Sequence, residues 1–83
     1  MPKHSVLVID DEELMRDFVQ EAMLRAGYTV DAAANGPDGI TLFEKKGHDL
    51  VITDLKMAPM DGIEVVRQAV KIHPDTPVIV MTA

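Results

Sequence analysis

Four short strand-like runs divide the chain: Ser5 to Ile9 (SVLVI), Tyr28 to Ala32 (YTVDA), Leu50 to Thr53 (LVIT) and Pro77 to Met81 (PVIVM). Each is too short for a core helix. Three of them are nearly uninterrupted apolar sequence rich in branched side chains, the pattern of strands covered on both faces. The stretches between them are long enough for a crossover helix, which brings each following strand back parallel to the last. A β-α-β-α-β-α-β order with a doubly wound parallel sheet follows.

The connecting stretches carry helical signals. From Glu12 to Ala26, the residues Met15, Phe18, Val19, Ala22 and Ala26 recur at helical spacing, which predicts one inward face. Arg16, Asp17, Gln20 and Arg25 fall largely elsewhere. Acidic residues open this helix and Gly27 closes it. Pro37 suits the first turn of a second helix with Ile40 and Phe43 inward, and Gly47 offers its stop. The third helix is predicted over Ile63 to His73, with Ile63, Val66, Ala69 and Val70 inward and Pro74 as terminator. Between the third strand and this helix, DLKMAPMDG at 54–62 reads as a loop, with Met57 and Met60 walling whatever lies at the strand ends.

Parallel strands place their carboxyl ends on one edge of the sheet, where ligands of open α/β sheets bind. The first strand runs into Asp10 and Asp11, the third into Asp54 and the fourth into Thr82. If the first and third strands are neighbours, three carboxylates share one pocket. Two like charges ~5 Å apart at an effective dielectric near 20 repel by roughly 3 kcal/mol, so three such pairs cost on the order of 10 kcal/mol. Either one carboxyl stays protonated or a cation sits among them. Hard oxygen donors with open positions suit Mg²⁺. A carboxylate beside such an ion can attack phosphorus in line, and Thr82 can donate a hydroxyl hydrogen bond to a phosphoryl oxygen.

With VLVIDDE at 6–12, VITDLKMAPMDG at 51–62 and VIVMTA at 78–83, the chain resembles the receiver domain of bacterial two-component response regulators along its whole length. The resemblance implies a flavodoxin-like (CheY-like) α/β fold with strand order 2-1-3-4-5. It implies that Asp54 is the phosphoacceptor and that Asp10 and Asp11 hold Mg²⁺ together with Asp54 and the backbone carbonyl of Lys56. It implies that Thr82 is the switch hydroxyl and that the backbone N–H of Ala83 contacts the phosphoryl group. The implied activity is acceptance of a phosphoryl group from a sensor histidine kinase, followed by slow loss to water. The chain itself is then no enzyme beyond Mg²⁺-dependent self-phosphorylation and autodephosphorylation, and it switches an output module, most simply a transcriptional one. One departure is the loop order Met57-Ala58-Pro59-Met60, where the family pattern places proline directly after the first methionine. The other is that a complete (βα)5 receiver continues beyond the fourth strand. Residues 1–83 are accordingly expected to be its N-terminal part, without the family's lysine, and prone to form a homodimer or domain-swapped oligomer through a bare edge strand.

Composition narrows the alternatives. Eight Lys and Arg against fourteen Asp and Glu give a formal charge of -6, which opposes binding to nucleic-acid backbones. The absence of cysteine excludes a disulfide scaffold and thiolate metal sites, and His4, His48 and His73 lack ligand spacing. No apolar run approaches a membrane span, and MPKHS at the start lacks a signal-peptide pattern, so a cytoplasmic protein is expected. A phosphohydrolase with a strand-end aspartate nucleophile would carry a general acid two residues later, where Lys56 stands. A flavin module would carry a Ser/Thr/Gly phosphate loop where Asp10-Asp11-Glu12-Glu13 stands. A receiver-like interaction module that takes no phosphoryl group is the remaining alternative.

Overall fold

A computed structural model describes residues 4–82. Its elements run β1 (Ser5–Ile9), α1 (Glu13–Arg25), β2 (Thr29–Ala33), α2 (Gly36–Lys46), β3 (Leu50–Asp54), α3 (Gly62–Ile72) and β4 (Val78–Met81). The four strands form one parallel sheet in the order β2-β1-β3-β4. The expected β-α-β-α-β-α-β order and parallel sheet are both present, with element ends differing from the sequence reading by at most one residue.

β1 is central, paired by β2 and β3 on its edges and covered by α1 on one face and by α2 and α3 on the other, and Val6, Leu7, Val8 and Ile9 are all buried. Alternation then splits the core in two. Leu7, Ile9 and Val51 point toward Phe43 of α2 and toward Val65 and Ala69 of α3. Val6, Val8 and Ile52 point toward Val19 of α1.

Local signals set the helix ends. Asn35 accepts a hydrogen bond from the N–H of Asp38 at 2.8 Å, and Asp61 accepts one from Glu64 at 2.9 Å, each satisfying a free donor of the first turn. Gly47 ends α2 at φ 64°, in the left-handed region where a side chain is disfavoured. The loop before α3 contains a cis Ala58–Pro59 peptide.

Two helix faces differ from the expectation. In α1 only Val19 is buried, while Met15 is 44% and Phe18 70% exposed, and Ala22 and Ala26 are exposed as well. Helix α1 packs over β1 and β2, so its inward stripe is narrow: Val19 with Met23 four residues on. Met15 and Phe18 belong to its flank, beside the uncovered part of the sheet. In α3 the buried stripe is Gly62, Val65 and Ala69, not Ile63, Val66 and Val70. Ile63 is 47% and Val70 46% exposed, because α3 meets the sheet along a stripe rotated by one position. Met57 and Met60 both pack on the core cluster around Phe43; Met57 also lines a depression beside the strand-end acids with Asp11 and Lys56, whereas Met60 does not.

Candidate metal centre

Because β1 and β3 are direct neighbours, with Ile9 opposite Thr53, the residues that follow them emerge side by side. The carboxylates of Asp10, Asp11 and Asp54 each offer an oxygen, and these oxygens lie within 4.8 Å of one another. They are graded in exposure: Asp10 is buried, Asp54 half-buried and Asp11 exposed. A cleft of about 380 Å³ opens beside them, lined by Asp10, Glu12, Met15, Asp54, Met81 and Thr82.

Each acid is held in its own way. Asp10 Oδ1 accepts the N–H of Glu12 at 2.9 Å. The main-chain carbonyl of Asp10 accepts from Arg16 Nη1 at 2.9 Å, which ties the first turns of α1 to the end of β1. Asp54 Oδ1 accepts the N–H of Leu55 at 2.9 Å. Burial raises the pKa of Asp10 above the usual carboxylate range, and the negative charges of Asp54 and Asp11 push it further up. The bond from Glu12 and the nearby Arg16 charge pull it back, without cancelling the rise. Three acids this close, one of them buried, are a charge arrangement that a small hard cation relieves. The donor set, all carboxylate oxygen with an open cleft on one side, fits Mg²⁺ chemically.

Of the residues singled out in the sequence, Asp10, Asp11, Asp54 and Thr82 share this edge of the sheet. Lys56 lies two residues beyond Asp54 and lines an adjoining depression with Asp11 and Asp61. Ala83 lies outside the described residues. Among the described residues no other group of three or more metal-ligating side chains converges, the histidines included. Three participants were not read from the sequence. The helical periodicity sets Arg16 only off the apolar face of α1 and gives it no part at the strand ends. Met15 and Met81 form the apolar wall of the cleft beside Asp10 and Asp54. A long cation one turn after the acidic pair was the available signal for Arg16. For the methionines no local signal exists, since their approach depends on how α1 crosses the sheet.

A parallel α/β sheet with ligand-binding groups at its carboxyl edge defines the class of doubly wound domains, and here the groups at that edge are acids suited to a cation. The chain belongs to the response regulator receiver domain family, whose model matches residues 6–83. Transcriptional regulatory protein GlrR of Escherichia coli (strain K12) is 37% identical over 82 residues, covering 99% of this chain and 18% of that protein. Sporulation initiation phosphotransferase F of Bacillus subtilis (strain 168) is 35% identical over 83 residues, covering 100% of this chain and 67% of that protein. Among solved structures, a CheY-like receiver domain protein of Methanospirillum hungatei JF-1 superposes with a TM-score of 0.94 at 27% identity, over 98% of this chain and 65% of that one. A chain from the crystal structure of histidine kinase ThkA in complex with response regulator protein TrrA superposes with a TM-score of 0.88 at 35% identity, over 96% of this chain and 69% of that one. The chain thus spans less than a fifth of GlrR and about two thirds of these solved chains.

Proposed function

We propose that this chain is the β1-to-β4 part of a receiver domain and that Asp54 accepts a phosphoryl group from a phosphohistidine of a sensor histidine kinase. The observation that carries the reading is the meeting of Asp10, Asp11 and Asp54 within 4.8 Å at the carboxyl edge of neighbouring strands. A carboxylate oxygen of Asp54 forms a bond to phosphorus while the bond from phosphorus to the imidazole nitrogen breaks. The leaving ring nitrogen keeps the electron pair and takes a proton from water. Asp10, Asp11, Asp54 and the backbone carbonyl of Lys56 would hold Mg²⁺, which neutralises charge on the incoming phosphoryl oxygens. The hydroxyl of Thr82, on the same cleft, donates to a phosphoryl oxygen, and the N–H of Ala83 adds a second donor.

The acyl phosphate so formed is lost slowly to water, so the chain works as a switch rather than as an enzyme turning over a substrate. Lys56, two residues after the acceptor, cannot serve as the general acid that rapid hydrolysis requires. The kinase approaches over the first turns of α1, where Met15 lines the cleft and Leu14 (80% exposed) and Phe18, four residues apart, present apolar surface. The formal charge of -6 opposes direct contact with nucleic acid. A transcriptional output, as the name of GlrR states for that protein, therefore belongs to another part of the protein. No helix among the described residues is long and apolar enough to cross a membrane, and we place the chain in the cytoplasm with its kinase's catalytic region. The edge strand β4 gives the isolated chain a route to a homodimer or a domain-swapped oligomer.

The test uses the chain with Mg²⁺ and a small-molecule phosphoryl donor. Intact mass rises by one phosphoryl group, and Asp54→Asn abolishes the rise. Uptake at an unchanged rate by Asp54→Asn removes the assignment.

A further inference from the structure

Resting on that reading, we infer that Thr53 and Gly62 are positioning residues that lock the Asp54 peptide and thereby aim its carboxylate. Thr53 is completely buried (0% exposed) at the penultimate position of β3. A hydroxyl there must find a partner inside the protein or cost free energy. Its partner is the main-chain carbonyl of Asp54, to which Thr53 Oγ1 donates at 3.0 Å. The pairing of β3 with β1 ends at Ile9 opposite Thr53, one residue before the acceptor. Pairing with β4 continues one residue further, to Asp54 opposite Met81. Val51 and Leu55 send their N–H groups to the β4 side, so by alternation the main-chain groups of Asp54 face β1; the register with β1 stops at Thr53, and beyond that point the Thr53 hydroxyl takes up the Asp54 carbonyl.

Gly62 closes the other side. Its N–H donates to the carbonyl of Leu55 at 2.8 Å. A Cβ at position 62 would stand 2.5 Å from the Asp54 carbonyl oxygen and 2.9 Å from Leu55 Cα. Both are backbone atoms that cannot rotate away, so any side chain at 62 displaces the Asp54–Leu55 peptide. That peptide matters because the N–H of Leu55 donates both to the Met81 carbonyl and to Asp54 Oδ1, each at 2.9 Å. Leu55 thus converts the position of the main chain into the direction of the carboxylate. Moving the peptide turns the nucleophile, and misplacement of a reacting group by an ångström can cost two orders of magnitude in rate.

Thr53→Val keeps the branched shape and removes only the hydroxyl, Thr53→Ser restores the hydroxyl with less packing, and Gly62→Ala adds the Cβ. Two readouts are taken on the chain: the amide resonance of Leu55, and the rate of phosphoryl uptake from acetyl phosphate at saturating Mg²⁺, corrected for folded fraction. Thr53→Val and Gly62→Ala are expected to shift the Leu55 amide and to slow uptake roughly tenfold or more. Thr53→Ser is expected to recover most of the rate despite its lost methyl, which a purely packing role would not produce. Should Gly62→Ala fail to fold, Thr53→Val carries the test alone. Uptake at the wild-type rate by Thr53→Val, with an unmoved Leu55 amide, overturns the inference and leaves the phosphoacceptor reading intact. A wild-type chain that takes up no phosphoryl group at Asp54 overturns the phosphoacceptor reading and this inference with it.

Discussion

The carboxylate of Asp31, in the edge strand β2, lies 2.7 Å from Nε2 of His48, a side chain that is 98% withdrawn from solvent just before β3. Lys46 reaches the other oxygen of the same carboxylate at 3.2 Å, and Phe43 stacks on the imidazole with ring centroids 6.2 Å apart. The bond to His48, first, and then the Lys46 contacts lower the Asp31 pKa below the usual carboxylate value, against an opposing push from burial. A carboxylate with a folded-state pKa below its unfolded one contributes stability above the unfolded value of about 3.9, and that contribution is lost as pH falls through the folded pKa. Acid unfolding should therefore steepen below about pH 4. Asp31→Asn should flatten that limb and cost about 1–3 kcal/mol at neutral pH, the range for losing a charge-assisted hydrogen bond to a buried group. Urea unfolding midpoints across pH for the two proteins measure both effects. Parallel curves would mean that the pair contributes no acid sensitivity.

The acids at the other end of the sheet should respond to metal with a reversal of sign. Without a divalent cation, Asp10, Asp11 and Asp54 repel one another, by up to about 3 kcal/mol per pair before exposure and salt reduce it. Asp54→Asn keeps an oxygen for the Leu55 N–H while removing one charge. In EDTA this variant should unfold later than the wild type, by about 1 kcal/mol. With Mg²⁺ at a hundred times its dissociation constant the wild type should gain about 2.7 kcal/mol, and the order should invert. Thermal unfolding in EDTA and in Mg²⁺ shows the crossing directly. The same order in both buffers would show that the three carboxylates do not act together on one ion.

Much of this arrangement was legible because buried parallel strands write themselves as uninterrupted apolar runs. SVLVI and LVIT could hardly be anything else, and the residues after them had to share an edge once the strands were neighbours. The helix faces were less legible. Phe18 and Val70 carry the same helical periodicity as Val19 and Ala69, but periodicity states which residues share a face and not which face the sheet covers. Three helices on a four-stranded sheet leave apolar flanks uncovered, and there the pattern misleads. Thr53 was invisible for another reason. A threonine inside a strand run reads as a β-branched filler, and only the end of the β1 ladder at that residue gives its hydroxyl a task.

The two phenylalanines separate packing from recognition. Phe43 is fully buried between the sheet and the α2–α3 layer, whereas Phe18 is 70% exposed on α1. Phe43→Ala should cost about 3–5 kcal/mol, which is most of what a domain of this size has to lose. Phe18→Ala should change stability by no more than about 0.5 kcal/mol. If the kinase docks over the start of α1, Phe18→Asp should slow transfer from a phosphorylated sensor kinase and leave uptake from acetyl phosphate unchanged. Equal slowing with both donors would place the effect in the site rather than in docking.

The two edges of the sheet differ in how they are guarded. Along β2, Asp31 with Lys46 and His48 sets charge and a side-chain network beside the open backbone, which discourages a second chain from pairing there. β4 reads Val78-Ile79-Val80-Met81, carries no charge, and among the described residues is bonded on one side only, to β3. Ile79, half exposed, points to the same face of the sheet as Ile52 and α1, where Met15 and Phe18 are also uncovered. A second copy meeting this edge across a two-fold axis would extend the sheet and bury these side chains at once. The chain should therefore show a mass in sedimentation that rises with concentration. Ile79→Lys, placing a charge on the open edge without touching the buried core, should hold it at monomer mass with an unchanged far-ultraviolet spectrum. A monomeric wild type at high micromolar concentration would show that the uncovered edge does not drive association. Persistent association of Ile79→Lys would direct attention to an exchange of whole elements, which one exposed charge does not prevent.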